Sequence, residues 1–115
     1  MNRPSLAITL ALLACAWLPG RAQADPKVIP ITAKRFEYSP KEVRLKKGET
    51  VTLVLKSEDV THGLFCRALK IDSDITPGQE TRVTVTPQKE GDFIAICNNF
   101  CGGGHGNMKL KFIVQ

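Results

Sequence analysis

The sequence predicts an all-β domain, a Greek-key β-sandwich or barrel. Short segments alternate apolar and polar residues, as strands with one buried face do. Turn residues such as glycine and proline separate these segments, and no stretch shows a convincing helical pattern. Several short strands at regular spacing are typical of a sandwich or barrel, and a chain of 115 residues provides one such domain.

Six strands are predicted in order along the chain. Val51, Leu53 and Leu55 share one face of the clearest of them, and Val83 and Val85 share one face of another. The turns "KKGE", "ITPGQE" and "PQKEG" fall between strands. The predicted strands are residues 27–38, 41–45, 50–57, 80–87, 91–97 and 109–115.

The amino-terminal residues 1–24 have the layout of a secretory signal peptide. Arg3 precedes an apolar run, residues 6–18, and Ala22 and Ala24 form an A-x-A cleavage site. The apolar run is shorter than the roughly 20 residues that a transmembrane helix needs. The sequence therefore predicts export to the periplasm and a mature domain of residues 25–115. An uncleaved membrane anchor and lipidation at Cys15 are the alternatives.

The composition of the mature part excludes some classes of partner. The formal net charge of +5 falls to +3 when Arg3 and Arg21 leave with the predicted signal peptide. The remaining basic residues are scattered and form no stripe, so no nucleic-acid partner is predicted. We also expect no membrane span in the mature chain and a monomer.

The segment "CNNFCGGGHGNM", residues 97–108, concentrates unusual chemistry in one loop before the last strand. Its two cysteines, one histidine and one methionine, together with His62 upstream, are soft ligands that favour copper over hard cations. A disulfide between Cys97 and Cys101 is one alternative, since an exported protein permits it. A zinc site with two cysteines and two histidines is another, although it leaves Met108 without a role.

The pattern C-x₃-C-x₃-H-x₂-M with an upstream D-V-x-H resembles the binuclear copper (CuA) domain of cytochrome c oxidase subunit II and of nitrous oxide reductase. The resemblance covers essentially all of the mature chain and implies a cupredoxin fold with two copper ions. It implies a single-electron carrier, not an enzyme, acting as an accessory or subunit of a terminal oxidase-like system. Its partner would be a redox protein such as a c-type cytochrome. The residues that correspond to the family's metal ligands are His62, Cys97, Asn99, Cys101, His105 and Met108.

The resemblance also implies a role for each ligand. Cys97 and Cys101 would bridge the two copper ions, and His62 and His105 would each bind one of them. Met108 would be a weak axial ligand. The second axial ligand would be a main-chain carbonyl, that of Asn99.

Two positions depart from the oxidase pattern. Oxidases usually have glutamate at the position of Asn99, where its side chain reaches a magnesium ion facing the catalytic subunit. They also have tryptophan where electrons enter, whereas the only tryptophan here is Trp17, in the predicted signal peptide. The aromatic residues near the first strand are Phe36 and Tyr38. These departures, with no transmembrane helix expected in the mature chain, favour a free-standing soluble protein.

Two other functions use the same residues. A periplasmic copper chaperone or buffer would hold exchangeable metal, and a mononuclear blue-copper carrier would use one cysteine, leaving Cys97 as a spectator. Cys66 lies four residues after His62, about 13 Å away in an extended segment. We expect it to be a buried free cysteine outside the site. The ligands of the mononuclear alternative are His62, Cys101, His105 and Met108.

Overall fold

The computed structural model describes residues 27–115, and before them Asn2 alone. The described residues form nine strands and two short 3-10 helices, Arg67–Leu69 and His105–Asn107. The predicted signal peptide lies outside the described residues apart from Asn2, and it stays a prediction. The strands are β1 (Lys27–Lys34), β2 (Glu37–Ser39), β3 (Glu42–Leu45), β4 (Val51–Ser57), β5 (His62–Cys66), β6 (Ile71–Ile75), β7 (Thr81–Val85), β8 (Gly91–Ile96) and β9 (Lys109–Val114).

Two sheets pack face to face, which confirms the predicted all-β sandwich. One sheet has the strand order β2-β1-β4-β7 and the other the order β3-β9-β8-β5-β6. The pairs β1–β4 and β3–β9 are parallel, whereas the other strand pairs are antiparallel. Strands distant in the sequence are therefore neighbours, as in a Greek key.

The core lies between the sheets and follows the predicted alternation. On β4, Val51, Leu53 and Leu55 are buried, while Lys56 is exposed. Burying a side chain of this size contributes roughly 1.5–3 kcal/mol. From the opposite sheet, Leu110 and Phe112 of β9 complete this layer with no exposed surface. The strand that follows the predicted metal-binding motif is thus fixed firmly in the core.

The predicted strand of residues 27–38 is in fact two strands. β1 and β2 form an antiparallel hairpin in which Lys34 pairs with Glu37. The bend at Arg35 and Phe36 contains no glycine, proline or asparagine to mark a turn, so the composition alone does not reveal it. The correction matters because the tip of this hairpin, Arg35 and Phe36, lies against the predicted metal-binding loop.

β5 and β6 lie between the predicted strands 50–57 and 80–87, in a stretch where the sequence predicts no strand. His62 is the first residue of β5. The strand pattern in the sequence of β5 is weak because Gly63 lowers strand propensity. β6 has Asp72 and Asp74, which are depleted in strands generally, but it is an edge strand of its sheet, where charged residues are common.

Among the described residues, no helix has the length and apolar character needed to span a membrane. The loop of residues 97–108 joins β8 to β9, as predicted. The ladder between these strands ends at Ile96 and Lys109. One further main-chain hydrogen bond, from Cys97 N–H to the Met108 carbonyl at 3.3 Å, closes the base of the loop. We call residues 97–108 the ligand loop.

Candidate metal centre

Three of the predicted ligands form a compact buried group. The donor atoms of His62, Cys97 and Cys101 all lie within 4.8 Å of one another. The two sulfur atoms are 3.9 Å apart, and His62 Nδ1 is 3.9 Å from Cys97 Sγ. His62 comes from the start of β5, whereas both cysteines come from the ligand loop. The fold therefore brings together residues that are 35 positions apart in the sequence.

The other predicted ligands surround the same two sulfur atoms. His105 Nδ1 lies 3.6 Å from Cys101 Sγ, and Met108 Sδ lies 3.9 Å from it. On the other side, the main-chain carbonyl of Asn99 lies 3.1 Å from Cys97 Sγ. All six predicted residues are thus collected at one end of the sandwich.

The donor set suits a soft metal ion. Thiolate, imidazole and thioether ligands together are those of copper sites, and the buried position excludes most water. Cys97, Cys101 and Met108 are each at most 5% exposed, and all three cysteines of the described residues are free. The predicted alternative of a disulfide between Cys97 and Cys101 is therefore not formed in this structure.

Asp59 fixes the ring of His62. Its carboxylate lies 2.7 Å from His62 Nε2, so that Nδ1 faces the sulfur atoms. A carboxylate on the second ring nitrogen is the usual way in which proteins orient a metal-binding histidine. Partial burial, the largest single influence, raises the pKa of Asp59. Hydrogen bonds from Arg35 N–H, the His62 ring and Val60 N–H together outweigh it and lower this pKa to about 2.

Gly63 allows the ligand loop to approach β5 closely. Its N–H donates a hydrogen bond of 3.4 Å to Cys97 Sγ, and its carbonyl accepts one of 2.5 Å from the Tyr38 hydroxyl. A Cβ atom at this position would collide with the side chain of Asn98. A glycine is therefore required beside His62, and it supplies a main-chain donor to a sulfur atom.

The tip of the β1–β2 hairpin covers the other side of the loop. Arg35 Nε donates a 2.8 Å hydrogen bond to the Cys101 carbonyl. The Phe36 ring packs on Gly102 and Gly104, where a Cβ atom would lie 2.9 and 2.5 Å from ring carbons. These two loop glycines are thus needed for the close contact with Phe36.

Burial also alters the acid–base properties of the site. Burial first, and then the neighbouring Cys97, raises the pKa of the Cys101 thiol, and Arg35 acts in the opposite direction. Burial likewise raises the pKa of Tyr38, with Cys97 and Cys101 adding to the effect, so the Tyr38 hydroxyl stays protonated and donates to Gly63.

Sequence reasoning missed several residues that support the ligands. Asp59 belongs to the D-V-x-H pattern, yet its contact with His62 was not inferred. Arg35, at the hairpin tip, contacts the Cys101 carbonyl, and Asp74, on β6, accepts a hydrogen bond from the Asn99 side chain. The sequence predicts neither the hairpin tip nor β6. Cys66 is buried, as expected, and lies outside the group formed by His62, Cys97 and Cys101.

Comparison with known proteins agrees with the fold and the motif. The sequence matches the family described as "Cupredoxin-like domain" over residues 5–114. It is 32% identical over 85 residues to cytochrome c oxidase subunit 2 of Thermus thermophilus, covering 74% of this chain and 63% of that protein. It is 34% identical over 91 residues to nitrous-oxide reductase of Cupriavidus necator, covering 76% of this chain and 14% of that protein. The chain thus spans less than two thirds of the length of these curated relatives.

A solved structure shares the fold. The periplasmic domain of cytochrome oxidase subunit II of Bradyrhizobium japonicum superimposes with a TM-score of 0.72 at 19% identity. The superposition covers 81% of this chain and 86% of that domain. The resemblance read from the sequence is therefore confirmed at the level of family and fold.

Proposed function

This chain belongs to the cupredoxin-like domain family, and we propose that it is an exported copper protein that carries single electrons through a binuclear centre of the CuA type. The observation that supports two metal ions best is the arrangement around the sulfur atoms. Cys97 and Cys101 lie 3.9 Å apart, and each has its own imidazole, 3.9 and 3.6 Å away. Each also has its own weaker donor. A pair of sulfur atoms between two imidazoles is the set that two bridged ions need.

In this proposal each residue has one task. Cys97 and Cys101 would supply the two thiolates shared by the copper ions, His62 and His105 would each hold one ion, and the Asn99 carbonyl and Met108 would be the weaker donors. Bound copper would supply one-electron chemistry, with the unpaired electron shared between the two ions. Most of these residues are buried, which would limit their movement when the charge of the centre changes.

The surrounding residues limit rearrangement when an electron arrives. Asp59 holds the His62 ring, Gly63 N–H donates to Cys97 Sγ, and Arg35 holds the Cys101 carbonyl. A site held within a few tenths of an ångström by supporting contacts reorganises little. Little reorganisation is the requirement of an electron carrier.

The relatives support the same assignment. They are an oxidase subunit and a reductase, whose names denote electron-transferring enzymes. We propose that the chain serves such a system in the periplasm as a non-enzymatic relay. Its partner would be another redox protein, such as a c-type cytochrome. Phe100 is 83% exposed, and its ring lies beside that of His105 at a tilt of 49°, with ring centroids 5.8 Å apart. It would give the centre an apolar contact point at the surface.

A copper chaperone or buffer is the second candidate, and one observation favours it. His105 is only half-buried, so one side of the site lies close to solvent. Repeated one-electron reduction and oxidation in the presence of a Cu(I) chelator separates the two functions. We expect an electron carrier to keep its copper through the cycles. Transfer of most of the copper to the chelator on the first reduction would instead assign a delivery function.

A further inference from the structure

The side chain of Asn99 is held on two sides, although the proposed ligand at this position is its main-chain carbonyl. Its Nδ2 donates to the Asp74 carboxylate at 2.6 Å and to the main-chain carbonyl of His62 at 3.2 Å. Both N–H bonds of the amide are therefore used. The bond to Asp74 is short because its acceptor is charged, and such bonds are roughly twice as strong as neutral ones.

We propose that Asn99 is a positioning residue that orients its own carbonyl toward the metal centre. We call its two side-chain bonds, to Asp74 and to the His62 carbonyl, the Asn99 clasp. With the side chain fixed, rotation of the Asn99 peptide groups is restricted, and the carbonyl stays 3.1 Å from Cys97 Sγ. This inference rests on the proposed function, since it concerns the axial ligand of that centre.

The clasp also sets the loop against the strand that provides His62. Asp74 pairs with Gly63 across the β5–β6 ladder, and His62 immediately precedes Gly63 on β5. The two acceptors of the Asn99 amide are thus neighbours on adjoining strands. The Asn99 side chain therefore links the first half of the ligand loop to the strand that carries His62. This link restricts the distance between the loop's sulfur atoms and the His62 ring.

Both partners of the Asn99 side chain belong to the same domain as Asn99. The amide is directed to Asp74 of β6 and to the His62 carbonyl of β5. The Asn99 clasp is therefore formed without any group from another chain.

The adjacent residue provides a matched control. Asn98 Nδ2 donates to the Asp72 carboxylate at 3.0 Å, so it also joins the loop to β6 by an amide–carboxylate bond. Asn98 is exposed, however, and its carbonyl has no contact with a cysteine sulfur among the hydrogen bonds of the described residues. The two pairs share chemistry and strand, and they differ in whether the loop residue faces the metal centre.

The test compares four single variants, Asn99→Ala, Asp74→Ala, Asn98→Ala and Asp72→Ala, and the double variant Asn99→Ala/Asp74→Ala, in the full mature chain. The copper-loaded proteins are assayed for copper release to a chelator, reduction potential and electron paramagnetic resonance (EPR) spectrum. The apoproteins are assayed by amide hydrogen exchange in the ligand loop. We expect both clasp variants to release copper about tenfold faster and to shift the potential and spectrum, as loss of a supporting partner typically does.

Three further results are expected. The double variant should release copper no faster than Asn99→Ala alone, because the two residues act as one unit. Asp74→Asn, which keeps an oxygen acceptor, should restore most of the wild-type behaviour. The Asn98 and Asp72 variants should stay within about twofold of wild type, as expected for surface changes.

Equal effects of the two amide–carboxylate pairs, or an unchanged potential and spectrum in Asn99→Ala, would overturn the inference. Loop hydrogen exchange separates this outcome from failure of the proposed function. If the wild type binds only one copper, the binuclear assignment fails. Faster exchange around Phe100 in the apoprotein of the clasp variants alone would still support the clasp, and unchanged exchange would overturn it.

Discussion

The two histidines at the proposed metal centre have the same chemistry but opposite structural support. His62 begins β5, has no exposed surface and is bonded to a carboxylate through its second ring nitrogen. His105 opens a single turn of 3-10 helix in the ligand loop and is half-buried, with the tilted Phe100 ring beside it. One imidazole is part of the sheet, and the other is part of a loop.

The difference in support corresponds to two requirements of a metal site, namely a ligand with a fixed position and a ligand that can move. A ligand on a strand is placed by the whole core, so its position hardly depends on the metal ion. A ligand on a loop can move aside to admit the metal and can lie near the surface where a partner docks. We infer that His62 anchors the centre and that His105 is its adjustable, solvent-facing side. The predictions below test this asymmetry.

The largest effect on the metal centre is expected for the two cysteines, whose sulfur atoms lie between His62 and His105. Cys97→Ser and Cys101→Ser should each abolish the binuclear centre, because each thiolate is proposed to bind both ions. The optical and EPR spectra of the copper-loaded variants measure this. Cys66→Ser is the control and should keep the wild-type spectrum, since Cys66 lies outside the group. A Cys97→Ser protein with an unaltered spectrum would favour the mononuclear site.

The histidines themselves should differ in chemical rescue. We expect His62→Gly and His105→Gly to lose most of the wild-type spectrum. Added imidazole should restore the spectrum of His105→Gly, because that position is open to solvent, but not that of His62→Gly, whose position is sealed. Circular dichroism confirms that both variants are folded. Equal rescue of both variants would show that the two sides of the site do not differ as described.

Loss of the carboxylate behind His62 should have an intermediate effect. Asp59→Ala frees the imidazole ring and also removes an acceptor of the Arg35 N–H. We expect copper affinity to fall by about tenfold or more, as for other partners of metal-binding histidines. Phe100→Ala, which removes the ring beside His105, should change affinity by less than about twofold, since that side is loosely held. Chelator competition measures both, and the reverse order would contradict the anchoring role of His62.

The smallest effect is expected for Met108, a weak axial ligand that tunes the centre. Met108→Leu keeps similar volume and apolarity, so the free energy of unfolding should fall by less than about 1.5 kcal/mol. The variant should retain copper and colour. Its reduction potential should rise, because removal of a donor disfavours the more oxidised state. Voltammetry under one buffer condition measures the change, and an unchanged potential would make Met108 a core residue only.

The sequence allowed the candidate ligands to be predicted because metal chemistry restricts residue types and spacings. Cys97, Cys101, His105 and Met108 are close in the chain, and their loop lies between two strands with clear alternation. The contacts that support the candidate ligands are harder to predict from the sequence. Asp74 lies on an edge strand whose three central residues are all polar, and Arg35 lies in a bend that no glycine or proline marks. Their contacts depend on how strands far apart in the sequence pack, which local patterns do not specify.

The central claim is that two sulfur atoms bridge two copper ions, and the most direct test is the copper content of the reconstituted mature protein together with its EPR spectrum. We predict two copper ions per chain. We also predict a hyperfine pattern with more lines than one copper nucleus can produce, since one unpaired electron is shared by two nuclei. A plateau at one copper per chain, with the hyperfine pattern of a single nucleus, would contradict this account.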